Sequence, residues 1–388
     1  MLRYLLVMVS LVAVSAAVAA PTVIVNGETV NLSVIDRDGK AFIDIVALMQ
    51  LLGGKATYNA TAGKLYINST TGTGTTAPPK SGDFGTPQLA GDNGQIGQVY
   101  TLRNSNPIYF RLNSVAYSVS QLRFGKLIVI PEADEKLLVL HYSLQNPQKI
   151  EALVRFDTLK FTAVDQMNVN HDGKGWVGDE QTQGELGMKL KPAQRIEAYA
   201  CIVVPAKGVI PKLMVMPPNA NDGPILRYDL RDKVTALPAP FADPADPTGA
   251  TALTVVPAQA NATYPFKNFD VKVEKWETVT TALDGPAPQN GESYFVVTLS
   301  CTNKTGNDAV LRFDTFIATL TDAGGLQFKL HRDILAATSN ASFSQRVAPE
   351  TTARIRLYFT VPKDAKPDTF TIKEGTSRSY AYDVSNQE

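Results

Sequence analysis

The chain has 388 residues and balanced charge, with 37 lysines and arginines against 37 aspartates and glutamates. A chain of this length can bury two to four hydrophobic cores. Its basic residues are scattered rather than clustered with aromatic ones, so no electrostatic field would draw it to nucleic acid or to an anionic membrane. We therefore expect neither as a partner.

Residues 1–19 have the pattern of a secretory signal peptide. Arg3 gives a positive start, an apolar stretch follows, and the segment ends in small residues. We expect cleavage after Ala19, because cleavage after Ala20 would leave Pro21 first in the mature chain. The apolar stretch is shorter than the ~20 residues that span a bilayer, and no later segment approaches that length. The pattern predicts a secreted, periplasmic or cell-surface protein without a transmembrane segment after signal cleavage.

Residues 20–69 predict a small α+β domain. Asn26-Gly27 is a strong turn signal and predicts a hairpin from the strands on either side. Apolar residues on one face then predict a helix from Asp44 to Leu52, ended by Gly53-Gly54. A second hairpin is predicted from residues 56–58 and 65–67. The order is hairpin, helix, hairpin.

The strings V-N-G-E at residues 25–28 and L-L-G-G-K-A at residues 51–56 make this domain resemble the small N-terminal stalk domain of copper amine oxidases. The resemblance implies a module carried by exported bacterial proteins, without the catalytic copper domain. Copper in that domain requires three histidine ligands, and the only histidines here are His141, His171 and His331, at unrelated spacings. We expect no bound copper, no other cofactor and no oxidase activity.

Two stretches predict linkers. Residues 70–97 contain the run T-G-T-G-T-T-A-P-P, and residues 236–250 read A-L-P-A-P-F-A-D-P-A-D-P-T-G-A. The first has too few large apolar residues for a core, and prolines make the second stiff. We expect limited proteolysis to cut near residues 70–95 and 236–252.

The second half of the chain repeats its middle. Arg155-Phe156-Asp157-Thr158 recurs as Arg312-Phe313-Asp314-Thr315, at an offset of 157 (312 minus 155). The same offset relates Asn146 to Asn303 and Val204-Pro205 to Val361-Pro362. One offset held over some sixty positions predicts two copies of a single module, at residues 98–235 and 251–388. Equivalent residues should occupy the same strands.

Each copy predicts an immunoglobulin-like β-sandwich. In the second copy, Ile355, Leu357, Phe359 and Val361 alternate with polar residues, so one face of the strand is buried. The first copy shows the same alternation from Leu138 to Leu144. The fold class is therefore mainly β: a small α+β stalk domain followed by two tandem sandwiches.

The strings N-K-T-G-N-D-A-V-L-R-F-D-T-F and L-Y-F-T-V-P in the second copy resemble the telokin-like, immunoglobulin-fold module of secreted bacterial proteins. Residues 251–388 match that pattern well. Residues 98–235 match less well, because a polar stretch from Asp165 to Gln183 replaces a D-a-x-G turn. The resemblance implies a binding or spacer unit without a shared active site.

One loop is a candidate calcium site. Counting Asn168 as position 1, oxygen donors occupy positions 1, 3 and 5, Gly173 is at 6 and Asp179 at 12. The alternative is a polar loop between strands, in which Asn, Asp and Gly serve the backbone. Trp176, in the same loop, is either an exposed contact or folded back on the sheet.

The repeated Arg155–Asp157 and Arg312–Asp314 pairs are interpreted as structural pairs on one face of a short strand, worth ~0.2–1 kcal/mol each. Cys201 and Cys301 are not equivalent under the repeat, and each copy has one cysteine. A disulfide within a copy is excluded, which leaves two buried thiols or one bridge between the copies.

The sequence has no nucleophile elbow, zinc-protease helix, phosphate loop or dinucleotide fingerprint. It predicts an exported, non-enzymatic protein that acts as a binding or scaffold module at the cell envelope or outside the cell, with an unidentified protein or cell-wall partner. No catalytic, cofactor or metal residue is predicted. The alternative is an envelope enzyme, or a calcium-dependent sensor or adhesin, with a site on the sandwich loops.

Overall fold

The computed structural model describes residues 93–386 apart from 284 and 286, and before them the backbone of six short strands between residues 23 and 68. The described chain is almost entirely β-structure. It divides into two compact units, residues 1–80 and residues 81–388. No helix in the described part is long and apolar enough to cross a membrane.

The described strands of the first unit form three antiparallel hairpins. The hairpins that the sequence predicted around Asn26-Gly27 and between residues 56 and 67 are confirmed, and a third lies between them. The predicted helix from Asp44 to Leu52 lies outside the described residues. The strands pair as β1 (Val23–Val25) with β2 (Glu28–Val30), β3 (Val34–Arg37) with β4 (Lys40–Ile43), and β5 (Lys55–Asn59) with β6 (Lys64–Asn68).

The second unit begins with a β-sandwich. Its strands are β7 (Asn93–Gly94), β8 (Val99–Leu102), β9 (Ile108–Ser118), β10 (Leu122–Phe124), β11 (Leu127–Val129), β12 (Glu135–Gln145), β13 (Ala152–Arg155), β14 (Lys160–Val164), β15 (Asn170–Asp172), β16 (Val177–Asp179), β17 (Gly187–Leu190), β18 (Arg195–Pro205), β19 (Lys212–Met216), β20 (Leu226–Asp229) and β21 (Val234–Thr235), with a 3-10 turn at Ala220–Asp222. One sheet has the order β16-β18-β12-β9-β21, with β8 also paired to β9, and the facing sheet has the order β15-β14-β19-β20-β7.

A second sandwich follows. Its strands are β22 (Val255–Ala258), β23 (Thr263–Pro265), β24 (Phe269–Val279), β25 (Glu292–Asn303), β26 (Ala309–Leu311), β27 (Ile317–Asp322), β28 (Lys329–Leu330), β29 (Leu335–Ala336), β30 (Gln345–Val347), β31 (Thr352–Pro362), β32 (Pro367–Lys373) and β33 (Ser379–Asp383). One sheet has the order β23-β24-β25-β31-β28, with β29 also paired to β31, and the facing sheet has the order β22-β33-β32-β27.

Both cores follow from the alternation of apolar residues along the long strands. On β12, Leu138, Leu140 and Tyr142 point between the sheets of the first sandwich into its main core. The other face of this strand, with Leu137 and Val139, packs in a smaller cluster beneath the β10–β11 hairpin. The second sandwich has the same division, with a main core between its sheets and a small outer cluster.

The predicted duplication is confirmed by strand register. In the first sandwich Glu135 lies opposite Pro205 on the β12–β18 pair, and in the second Glu292 lies opposite Pro362 on the β25–β31 pair. Each residue of the second pair is 157 positions after its counterpart. The two copies therefore place equivalent residues on equivalent strands.

The Pro-rich segment at residues 236–252 packs against the sandwiches. Leu237 is buried in the core of the first sandwich, and Phe241 contacts the cores of both. Ala252 N donates to Ala206 O at 2.9 Å, and Asp246 accepts from the backbone of Thr248 and Thr251. The prolines therefore belong to an ordered connection, and the composition of the segment alone does not reveal this packing.

The sequence predicted that proteases would cut near residues 236–252, and the packing of this segment leads to the opposite expectation. A protease must unfold several residues around the bond it cuts, and Phe241 cannot leave without exposing apolar surface of both cores. We expect chymotrypsin to spare the Phe241 bond under native conditions. A time course followed by mass spectrometry checks this, and early cleavage after Phe241 into two stable sandwich fragments would contradict it.

Candidate functional site

The two sandwiches meet through buried polar contacts. Arg378, on the loop before β33, is 3% exposed. Its Nε donates to Leu253 O at 3.0 Å and its Nη2 donates to Glu135 O of the first sandwich. Nearby, Ala133 N donates to Thr376 O at 3.1 Å. Burial lowers the pKa of the Arg378 guanidinium. This contact fixes how the loops of the second sandwich approach the first.

The β10–β11 hairpin lies at this junction and distinguishes the two copies. It occupies the connection from β9 to β12, residues 119–134, whereas the corresponding connection in the second sandwich, residues 280–291, is four residues shorter. Arg123 of the hairpin reaches the second sandwich, where its Nη2 donates to Lys304 O at 3.0 Å and to Glu350 Oε1 at 2.6 Å. The first copy therefore carries an added wall between the sandwiches.

A cleft of about 750 Å³ lies between this hairpin, the outer face of the first sandwich and two loops of the second. Its floor contains Ala116 and Val139 from the central strands, and Leu122 and Ile128 of the hairpin add further apolar surface. The remaining lining side chains are polar: Ser118, Gln121, Arg123, His141, Glu180, Gln183, Tyr199, Lys304 and Glu350. The volume lies within the ~300–1,000 Å³ typical of small-molecule sites, which often form at domain interfaces.

The wall of the cleft that includes the second sandwich carries two cations around one lining carboxylate. Glu350 accepts from Arg123 at 2.6 Å and from Lys304 Nζ at 2.6 Å, so two cations share one carboxylate. The hydrogen bond from Lys304 lowers the pKa of the Glu350 carboxyl. Within the described part of the chain, Arg123 Nε and Nη1 have no hydrogen-bond partner and can donate to a ligand.

Another wall holds a histidine–carboxylate pair. His141, on the outer face of β12, is bonded through Nδ1 to Glu180 Oε1 on the loop after β16. Both side chains are more than a third exposed. This wall carries the carboxylate of Glu180 beside the His141 ring. The cleft therefore has a carboxylate on one wall, two cations on another and apolar surface between them.

The aromatic lining residue is not available for stacking. The Tyr199 ring is stacked on Phe124 of the hairpin, with centroids 5.0 Å apart and an interplanar angle of 24°. Its hydroxyl donates to Arg123 O, and the residue is 6% exposed. Burial raises the pKa of Tyr199 to about 12, so it is neutral under ordinary conditions. Tyr199 supports the hairpin that forms the wall.

The candidate calcium loop does not take the geometry of a calcium site. Residues 170–172 form the extended strand β15, in which successive same-side residues lie ~6.8 Å apart, so they cannot surround one ion. Asp172 Oδ1 accepts from Thr162 Oγ1 at 2.6 Å, and Asp179 Oδ1 accepts from Thr182 N at 2.7 Å. No described group of three His, Cys, Asp or Glu side chains is placed to hold a metal.

The polar stretch that begins at Asp165 retains the turn of the second copy. Asp165 Oδ1 accepts from the backbone N–H of residues 167 and 169, and Asp322 Oδ1 accepts from those of residues 324 and 326. Asn168 takes the left-handed φ of 60° where Gly325 has 82°. The sequence interpretation that this turn is replaced was wrong, because Asn is one of the few residues that tolerates this conformation.

The repeated Arg–Asp pairs are structural, but they lie in a turn rather than along a strand. Arg155 Nη2 donates to Asp157 Oδ2 at 2.7 Å, and Arg312 Nη2 donates to Asp314 Oδ2 at 2.9 Å. In both copies the Thr that ends the motif accepts from the Arg N–H and closes the turn. All four charged side chains are about half exposed, so each pair adds little stability.

The remaining candidates are also accounted for. Cys201 and Cys301 are buried free thiols, and burial raises the pKa of Cys201 to about 12. Trp176 is folded back against the small outer cluster of the first sandwich. His171 Nε2 lies 2.9 Å from Asp165 Oδ2, and the His331 ring stacks on Tyr358 at 4.3 Å. His141 alone of the three histidines lines the cleft.

Sequence reasoning did not find the cleft residues Gln121, Arg123, Glu180, Lys304 and Glu350. The sequence does contain a sign of the added hairpin. The 157-residue offset between the copies holds after the hairpin but not before it, on strands β9 and β24. Phe110 lies opposite Leu144 and Val271 opposite Cys301, an offset of 161 (271 minus 110). The break marks residues 119–134 as the segment in which the copies differ.

A domain family described as "Domain of unknown function (DUF4352)" matches residues 258–382, which lie in the second sandwich. Comparison with curated proteins finds no significant match.

Several solved structures are similar to parts of the chain. An uncharacterized β-sandwich protein from Clostridium difficile 630 is 13% identical, with 37% of this chain and 97% of that chain covered and a TM-score of 0.28. A secreted protein from Mycobacterium tuberculosis, MPT63, is 12% identical, with coverages of 37% and 99% and a TM-score of 0.26. A putative lipoprotein from Bacillus subtilis is 13% identical, with coverages of 33% and 40% and a TM-score of 0.25.

Proposed function

We propose that this chain is an exported, non-enzymatic binding protein that holds a small ligand in the cleft between its two sandwiches. The observation that carries the proposal is the cleft itself, which has apolar surface, two cations and two carboxylates supplied by both sandwiches. Export is supported by the signal-peptide pattern of residues 1–19. The chain would act at the cell envelope or outside the cell.

The same proposal includes the finer family assignments. Residues 20–69 would form a stalk domain like that of copper amine oxidases, which the first and last hairpins of that unit support. The two sandwiches would be immunoglobulin-like modules of the telokin-like kind. The stalk would act as a spacer and the sandwiches as the binding unit. Elemental analysis of the purified protein should find no stoichiometric copper, since His141, His171 and His331 each contact a different neighbour.

Filling the cleft should abolish ligand binding. Ala116 lines its floor on the outer face of β9, so Ala116→Trp would occupy it with no change to the core. The matched control is Glu277→Trp, because Glu277 lies opposite Val296 in the second sandwich as Ala116 lies opposite Val139 in the first. A compound at 100 times its Kd stabilises a protein by about 2.7 kcal/mol, which a thermal-shift screen detects.

We expect compounds from a library of peptides, sugars and metabolites to stabilise the wild type and Glu277→Trp, but not Ala116→Trp. Compounds that stabilise all three proteins equally would place binding elsewhere. A screen in which no compound stabilises the wild type would remove the support for a small-molecule site.

A second candidate function is supported by the His141–Glu180 pair. A carboxylate that orients a histidine in a cleft is the arrangement of a general base. An enzyme would convert the bound compound, and His141→Asn would stop the conversion while binding persists. Following the compound by NMR in the presence of the wild-type protein distinguishes the two functions.

A further inference from the structure

If the proposed binding function holds, the side chains that line the cleft indicate which class of ligand it binds. Arg123 and Lys304 on one wall have donors to spare for an anionic group, and Glu180 Oε2 on another has no partner among the described residues.

These groups match a short peptide with free ends. Its carboxylate would pair with Arg123 and Lys304, and its ammonium group with Glu180. The apolar side chains of Leu122, Ile128 and Val139 would contact the peptide's own side chains. A chain of three or four residues extends over ~10–14 Å, a span suited to a cleft of this size.

The alternative ligand classes fit less well. Sugar rings are commonly held against an exposed aromatic face, and the aromatic ring that lines this cleft is covered by Phe124. A phosphorylated compound would leave Glu180 facing negative charge. An uncharged apolar compound would leave the charges of both walls unused.

We propose that the cleft binds short peptides through both of their charged termini. The test uses immobilised protein and three forms of one random tripeptide library: free termini, N-acetylated, and C-amidated. A mixture of neutral oligosaccharides forms a fourth pool. Retained compounds are quantified by mass spectrometry. We expect the free library to be retained at least tenfold better than either capped library, because each cap removes one charge pair.

Variants of the cleft residues test which side chain binds each terminus of the peptide. Arg123→Gln and Lys304→Gln should reduce the discrimination between free and amidated peptides, and Glu180→Gln that between free and acetylated peptides. Arg155→Gln, at an exposed turn outside the cleft, should change neither. Because Arg123 also contacts the second sandwich, its variant is checked by thermal melting, and Lys304→Gln supplies the same test independently.

The outcomes separate the ligand class from the proposed function. Equal retention of free and capped libraries, or no retention of peptides, would overturn the peptide inference. Retention of oligosaccharides that Ala116→Trp abolishes would overturn it too, yet would keep the cleft as the binding site. Retention of free peptides that Ala116→Trp leaves unchanged would overturn both proposals.

Discussion

Replacing Lys136 with Met is expected to lower the free energy of unfolding by about 3 kcal/mol, one of the two largest effects that we predict. Lys136 is fully buried in β12. Its Nζ donates to Ala206 O at 3.2 Å, to Gly208 O at 2.5 Å and to Ala250 O, and lies 4.3 Å from the centre of the Tyr117 ring. The methionine would match the length of the side chain but leave carbonyl oxygens buried without a donor.

The position of Lys136 explains why the effect should be large. Its ammonium joins a central strand to the loop after β18 and to the end of the Pro-rich segment, so it holds that segment against the sandwich. Urea denaturation, followed by fluorescence, measures the change. Lys207→Met is the matched control, because Lys207 is exposed next to the same loop. Equal stability of the two variants would show that the carbonyl oxygens find other donors.

The Lys136 ammonium also makes the difference in free energy of unfolding between the wild type and Lys136→Met depend on pH. Burial lowers the pKa of Lys136 to about 8 from its ordinary value near 10.5. Between these values the unfolded chain holds a proton that the folded chain has released, so raising the pH favours the folded state. From pH 8 to about 9.5 the wild type should gain roughly 1–2 kcal/mol relative to Lys136→Met. A constant difference would contradict the lowered pKa.

The sequence predicted the features that are local or repeated. Alternating apolar residues from Leu138 to Leu144 identified a core strand, because a strand with one buried face needs a period of two. The 157-residue offset identified equivalent strands and turns. The Asn26-Gly27 hairpin followed from the left-handed conformations that its turn requires.

The cleft could not be predicted in the same way, since its contacts join distant parts of the chain. Arg123 and Glu350 are 227 residues apart, and they meet only because the junction around Arg378 sets the orientation of the sandwiches. Local periodicity carries no information about that orientation. The Pro-rich segment was predicted to be a linker from its composition. Only two apolar side chains, Leu237 and Phe241, pack it against the sandwiches, and two such residues are too few to reveal that packing in the sequence.

A feature of both copies supports the second large prediction. Asn146 and Asn303 are fully buried and form the same bonds 157 residues apart. Asn303 Nδ2 donates to Asn307 O at 2.8 Å and to Val347 O at 2.7 Å, and its Oδ1 accepts from Thr305 N at 2.8 Å. The corresponding amide of Asn146 joins its own loop to the end of β17. One side chain thus satisfies three backbone groups.

We expect Asn303→Leu to lower the free energy of unfolding by about 3 kcal/mol, and Asn146→Leu by a similar amount, because leucine has nearly the same shape but no polar atom. Chemical denaturation measures both changes. Asn307→Leu is the control in the same loop, since its side chain is exposed and only its backbone oxygen accepts from Asn303. A large loss in one copy and none in the other would contradict the equivalence, because two copies of one structure should depend equally on a shared buried amide.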